Sequence, residues 1–124
     1  MSWVEYVIWW QVYPLGFLGA EKELGPFQDE VNRLPGLQGW LDHLISWGGN
    51  GLLLGPIFTS SSHGYDTVDY FQIDPRLGDD ADFDALVAAC RERGVRLLLD
   101  GVFNHAGRDF PPVAQALAEG PGSE

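Results

Sequence analysis

Asp79-Asp80-Ala81-Asp82-Phe83-Asp84-Ala85-Leu86-Val87-Ala88-Ala89-Cys90-Arg91-Glu92-Arg93-Gly94-Val95-Arg96-Leu97-Leu98-Leu99-Asp100 is the stretch that decides the fold. Phe83, Leu86, Val87 and Cys90 recur at the spacing that places side chains on one face of a helix. Asp79 or Asp80 offers a carboxylate to the free N–H groups at the helix start. Gly94 stands where a left-handed residue closes a helix. Val95 to Leu99 (VRLLL) then reads as a strand that stops at Asp100.

Working towards the N-terminus, Leu52-Leu53-Leu54 is a short apolar run between Gly51 and Gly55-Pro56. Periodicity alone cannot tell such a run from helix. Its length and glycine borders favour a strand buried on both faces, as in parallel sheets. Leu37, Leu41, Leu44 and Ile45 recur at helical spacing, with Trp40 beside them, and the stretch stops at Gly48-Gly49. Val7 to Tyr13 (VIWWQVY), rich in β-branched and aromatic residues, reads as a strand ended by Pro14. Gly16 to Gly36 and Pro56 to Gly78 read as loops, the second holding the densest polar and aromatic cluster in the chain. Phe110 to Glu124 offers one helical turn near Val113 to Leu117 and otherwise reads as loop. Strand, helix, strand, helix, strand is the pattern of successive right-handed βαβ units, so the expected class is α/β with a parallel sheet.

The 124 residues allow one domain at most, and 45% hydrophobic content gives ample surface to bury. Seven basic against eighteen acidic residues leave a net charge of −11, which repels phosphate backbones and anionic lipid. Neither nucleic acid nor a membrane surface is therefore expected as a partner. Cys90 is the only cysteine, which excludes a disulfide framework and a cysteine-based metal site, and its apolar setting predicts a buried thiol. Met1-Ser2-Trp3-Val4-Glu5 lacks the charge and cleavage site of a secretory leader. Gln11, Pro14 and Gly16 interrupt the apolar run from Val7 to Leu18, far short of a membrane span, so the expectation is a cytoplasmic protein.

Two stretches follow the C-terminal ends of the expected strands, where parallel α/β folds place their chemistry. They are His63-Gly64-Tyr65-Asp66-Thr67-Val68-Asp69-Tyr70-Phe71-Gln72-Ile73-Asp74-Pro75-Arg76-Leu77-Gly78 and Asp100-Gly101-Val102-Phe103-Asn104-His105. With the opening IWWQVYPLGF, these motifs resemble the alpha-amylase superfamily, glycoside hydrolase family thirteen. The resemblance runs from about Val7 to His105 and leans towards cyclomaltodextrinase-like and neopullulanase-like enzymes. It implies a TIM (β/α)8 barrel, of which residues 1–124 would be an N-terminal part of the catalytic domain, the first three parallel strands with two intervening helices.

The resemblance further implies a retaining glycosidase acting on α-glucosidic bonds, with one carboxylate as nucleophile and a second carboxyl as acid and then base. The family carries these on its fourth and fifth strands, with a third carboxylate after the seventh. None falls within this chain, which by itself is expected to be inactive. Tyr65 falls on the family's stacking tyrosine, whose flat ring packs against a sugar's apolar face. His105 falls on the histidine that hydrogen-bonds that sugar's 6-hydroxyl. Asp100 falls on an aspartate that braces an arginine near the nucleophile missing from this chain. Asn104 falls on an asparagine that ligates calcium in many members and only orders the loop in others. The implied partner is an α-glucan or maltooligosaccharide. Open sheet edges would offer a route to self-association.

Other readings compete. His63, Asp66 and Asp69 suggest a metal cluster with Asp100 and His105, but no pair has the short spacing of metal motifs. Asp66 and Asp69 read better as loop-ordering groups. Trp9, Trp10, Trp40 and Trp47 read as core rather than sugar platforms. The chain as a whole also admits a non-catalytic maltooligosaccharide-binding module, or an unrelated doubly wound nucleotide-binding domain. The last would need a glycine-rich strand-to-helix turn, and Gly16 to Gly25 is not GxGxxG.

Overall fold

A computed structural model describes residues 2–25 and 31–122 of the chain. Three strands, β1 (Trp9–Val12), β2 (Gly51–Leu54) and β5 (Arg96–Leu99), form a parallel sheet in the order β1-β2-β5. This is the α/β arrangement that the alternation predicts. Register places Trp10, Leu52 and Leu97 in one row and Val12, Leu54 and Leu99 in another, all on the helix side. On the opposite side Gln11 is exposed, Leu53 half-buried and Leu98 46% exposed, the face that a closed barrel would turn inward. Trp3, in a 3-10 turn (Trp3–Tyr6), meets Trp9 edge-on at 6.4 Å and carries the Arg96 guanidinium 4.8 Å from its ring centroid. These rings cover the N-terminal end of the sheet.

The first connection is more broken than its periodicity suggests. A one-turn helix α1 (Pro14–Phe17) follows β1, where the sequence reads as strand end and loop; its Pro14 sits at the favoured first position. The rest of that loop between 26 and 30 lies outside the described residues. The following helix is split into α2 (Pro35–Gln38) and α3 (Leu41–Ser46) around Gly39-Trp40. Leu34, Leu37, Leu41 and Leu44 form its buried stripe, and Ile45, expected in that stripe, is 42% exposed. Trp40 and Trp47 are likewise exposed, at 44% and 45%, so the core reading fails for both. Trp40 instead packs edge-on against Phe17 at 5.4 Å, beside Trp10 and His43 on the flank of β1.

Helix α4 (Asp80–Glu92) matches its pattern, with Leu86, Ala89 and Cys90 buried. Burial pushes the Cys90 thiol up, and the opposing pull of Arg93 does not cancel it. Asp79 caps the helix: its Oδ1 accepts from Asp82 N at 2.8 Å, while Asp82 Oδ2 accepts from Asp79 N at 3.2 Å. Asp79→Ala should lower stability by about 1 kcal/mol, read as a fall in the urea midpoint at unchanged slope. At the other end Gly94, with φ +66, makes the left-handed turn that delivers the chain into β5.

The segment read as a long loop before α4 holds an antiparallel hairpin, β3 (Phe58–Ser60) with β4 (Thr67–Ile73). Alternation of Val68, Tyr70 and Gln72 with Thr67, Phe71 and Ile73 supplies strand-forming residues, but Asp69 and the flanking serines and glycines mask it. The C-terminal stretch is helix α5 (Pro111–Glu119), twice the single turn expected, begun by the Pro111-Pro112 pair. Residues 123 and 124 lie outside the described residues.

Candidate functional site

The hairpin is braced by a buried ion pair. Arg76 and Asp74 are both fully buried, with Arg76 Nη2 2.8 Å from Asp74 Oδ2 and Nε 2.9 Å from Oδ1. Arg76 Nη1 also donates to the carbonyls of Glu21 and Ser62, each at 2.8 Å, and Nη2 to Ser60 Oγ at 3.0 Å. Ser60 N in turn donates to Asp74 Oδ2 at 3.1 Å. One guanidinium thus joins the loop after α1, strand β3 and the turn after β4. Asp74 is two residues away, but nothing in the local sequence marks the other partners, Ser62, Ser60 and Glu21, which lie fourteen or more positions away.

So anchored, the β3–β4 turn leans over the C-terminal ends of β1 and β5. Gly64 makes the turn with φ +94, a conformation that disfavours any side chain, and hands the chain to Tyr65. Tyr65 is held on several sides. Its N–H donates to His63 Nδ1 at 3.1 Å, and its carbonyl accepts from His105 Nε2 at 2.9 Å. Its phenol lies near the Asp100 carboxylate, just past the end of β5. Burial first, then the Asp100 hydrogen bond and charge, raise the Tyr65 phenol above its ordinary value, so the ring stays neutral. The ring remains 40% exposed beside a cleft of about 530 Å3 that Gln11, Tyr13, Gly55 and His63 also line.

Tyr65, Asp100 and His105 therefore converge, across 35 to 40 positions of sequence. Both ring nitrogens of His105 are engaged, because Asn104 Nδ2 lies 3.4 Å from Nδ1. A carbonyl can only accept, so Nε2 carries the proton and Nδ1 receives the amide. The His105 carbonyl accepts from the Tyr70 hydroxyl at 3.0 Å. Asp66 orders the turn as the loop-ordering reading has it, whereas Asp69 lies within β4 and bonds the strand's own backbone. Ser62 Oγ donates to Asp66 Oδ2, and Phe71 N donates to Asp69 Oδ1 at 2.8 Å. Burial pushes the Asp66 carboxyl up, but the Ser62 and backbone hydrogen bonds and nearby His63 outweigh it and leave the group below its ordinary value.

Among the described residues no group of three or more His, Cys, Asp or Glu side chains could hold a metal ion. Calcium takes six to eight oxygens. Among the described residues no cluster of carboxylate side chains stands with Asn104. Among the described residues, too, no helix is long and apolar enough to cross a membrane. Sequence reasoning missed Tyr13, whose hydroxyl donates to the His63 carbonyl at 2.7 Å. It lies at the end of an apolar strand, which gave no sign of a polar contact to a turn fifty positions away.

Comparison with known proteins agrees with this geometry. The family described as "Alpha amylase, catalytic domain" matches residues 11–123. A cyclomaltodextrinase from a Bacillus species is 39% identical over 96% of this chain and 24% of its own length. The intracellular maltogenic amylase of Bacillus subtilis strain 168 is 38% identical over 96% of this chain and 23% of its own. The ligand-free cyclic alpha-maltosyl-(1→6)-maltose hydrolase of Arthrobacter globiformis superposes with a TM-score of 0.80 at 32% identity, over 99% of this chain and 31% of that one. The chain spans about a quarter of the length of the curated relatives it matches. The doubly wound nucleotide-binding alternative is overturned by these matches. This chain belongs to the alpha-amylase catalytic-domain family, and its three parallel strands are part of that family's barrel.

Proposed function

We propose that this chain forms the sugar-positioning part of a retaining glycosidase acting on α-glucosidic bonds in a maltooligosaccharide or related α-glucan. The observation that carries the reading is the meeting of Tyr65, Asp100 and His105 at the C-terminal ends of the parallel strands. Tyr65 offers its exposed face to a glucose ring, Asp100 holds the phenol, and His105 fixes the backbone beneath it. The His105 N–H now given to Tyr65 is the donor that a sugar hydroxyl would share. In the family's layout the bond-cutting carboxylates stand on strands four and five, beyond the three present here, so cleavage belongs to the intact protein. Calcium has no part in this reading.

The acidic surface suits a neutral sugar and disfavours nucleic acid and anionic membrane. A cytoplasmic setting is supported by the relative named as intracellular. The open edges of β1 and β5 make self-association the expected behaviour of the 124-residue chain in isolation.

Calorimetric titration of the intact protein with maltotetraose tests the reading. A sugar covering ~50 Å2 of the tyrosine ring at about 25 cal/mol per Å2 contributes ~1.3 kcal/mol, so Tyr65→Ala should weaken binding on the order of tenfold. Absence of saturable binding, or equal affinity in the variant, overturns it. The second reading, a binding module without catalysis, is favoured by a sheet that holds positioning groups alone. It predicts the same titration with no release of shorter sugars.

A further inference from the structure

We propose that Tyr13 is a positioning residue of the sugar cleft: its hydroxyl, bonded to the His63 carbonyl, sets the direction in which the Tyr65 ring faces. The inference rests on the reading that Tyr65 stacks on a glucose ring.

Tyr13 follows β1 directly and its ring is wedged between two glycines. A Cβ at Gly16 would stand 2.9 Å from Tyr13 Cδ1, and one at Gly55 3.4 Å from Cδ2. The two glycines leave room for a ring that is 42% exposed, and the ring's position sets where the hydroxyl ends. Burial raises the Tyr13 phenol above its ordinary value, against the pull of Arg76 and with the help of Asp66, so the group remains a donor. The O–H donates to His63 O at 2.7 Å, and the next backbone unit is Gly64, the most freely rotating residue of the turn. Beyond it the His63 imidazole takes the Tyr65 N–H at 3.1 Å.

Tyr65 is therefore clamped from two sides. On the β5 side His105 Nε2 holds its carbonyl, with the Asp100 carboxylate near the phenol. On the β1 side, the link runs from Tyr13 through His63. Without the Tyr13 hydroxyl, His63 loses that anchor and Gly64 is free to swing, while the ring of residue 13 still fills its slot. The hydroxyl holds orientation, and the ring holds volume.

Tyr13→Phe separates the two. In the intact protein, calorimetric titration with maltotetraose should show affinity roughly fivefold weaker, the loss of about one hydrogen bond's contribution. Because Tyr13 acts through Tyr65, the effect should disappear in a Tyr65→Ala background, a non-additivity that a general loss of stability would not produce. Melting temperatures of all four proteins are measured alongside. If Tyr13→Phe lowers the melting temperature but leaves affinity unchanged, or if its effect persists in full without Tyr65, the proposal is wrong. If wild type binds and Tyr65→Ala weakens it while Tyr13→Phe does not, only the role of Tyr13 falls. If wild type does not bind maltotetraose, the stacking reading falls and this inference with it.

Discussion

Exchanging Arg76 for methionine should lower the unfolding free energy of the intact protein by about 3–5 kcal/mol, the loss typical when one partner of a buried ion pair is removed. Arg76 and Asp74 are fully buried, so the variant leaves the Asp74 carboxylate in a dry site with only backbone N–H groups to answer it. The carbonyls of Glu21 and Ser62 and the Ser60 hydroxyl lose their donor at the same time. Adding Asp74→Asn removes the stranded charge and should restore part of the loss, a sign of coupling that additive sites do not show. Urea denaturation of Arg76→Met, Asp74→Asn, the double variant and wild type measures both effects. A loss below about 1 kcal/mol for Arg76→Met would mean that the pair contributes no more than an exposed one. The Arg93–Asp42 pair, with Asp42 77% exposed, is such a comparison.

Gly107→Ala should cost about 1–3 kcal/mol, the range for forcing atoms into a packed contact. A Cβ there would lie 2.5 Å from the Asp66 carbonyl oxygen and 2.9 Å from its carbon, and backbone cannot swing aside as a side chain can. Gly107 N also donates to Thr67 O at 2.8 Å, so the loop after β5 is laid directly against the start of β4. Pushing the two apart moves His105 away from the Tyr65 carbonyl, and maltotetraose affinity should fall together with stability. Gly122→Ala, where nothing lies within 4 Å, serves as the neutral control. Equal urea midpoints for the two alanine variants would show that the close approach carries no weight.

Local features were legible in the chain, and contacts between distant positions were not. Helix α4 announces itself through its stripe and its cap, since both depend on residues at most a few places apart. Strand β2 was legible through its glycine borders, and β5 through its apolar run. Helices α2 and α3 were blurred because Gly39 divides a stripe that begins at Leu34, three residues earlier than the periodicity had suggested. The β3–β4 hairpin was obscured because its turn residues outnumber its apolar ones. In the site, Tyr65, Asp100 and His105 were found through the resemblance of their motifs, not through any local pattern. Arg76 and Tyr13 escaped because their meaning lies in partners at positions 21, 60, 62 and 74, and at 63.

Four of the seven cations of this chain, all arginines, are engaged with neighbouring side chains. Arg33 is tied to Glu21, Arg76 to Asp74, Arg93 to Asp42, and Arg96 lies over Trp3. All but the Arg76–Asp74 pair join residues twelve or more positions apart, and carboxylates outnumber cations in the outward field. Mobile counter-ions gather around such a field and relieve its self-repulsion, so moderate salt should make the folded form more comfortable, not less. A guest without charge is indifferent to the field of this segment, whereas an anionic one is repelled by it.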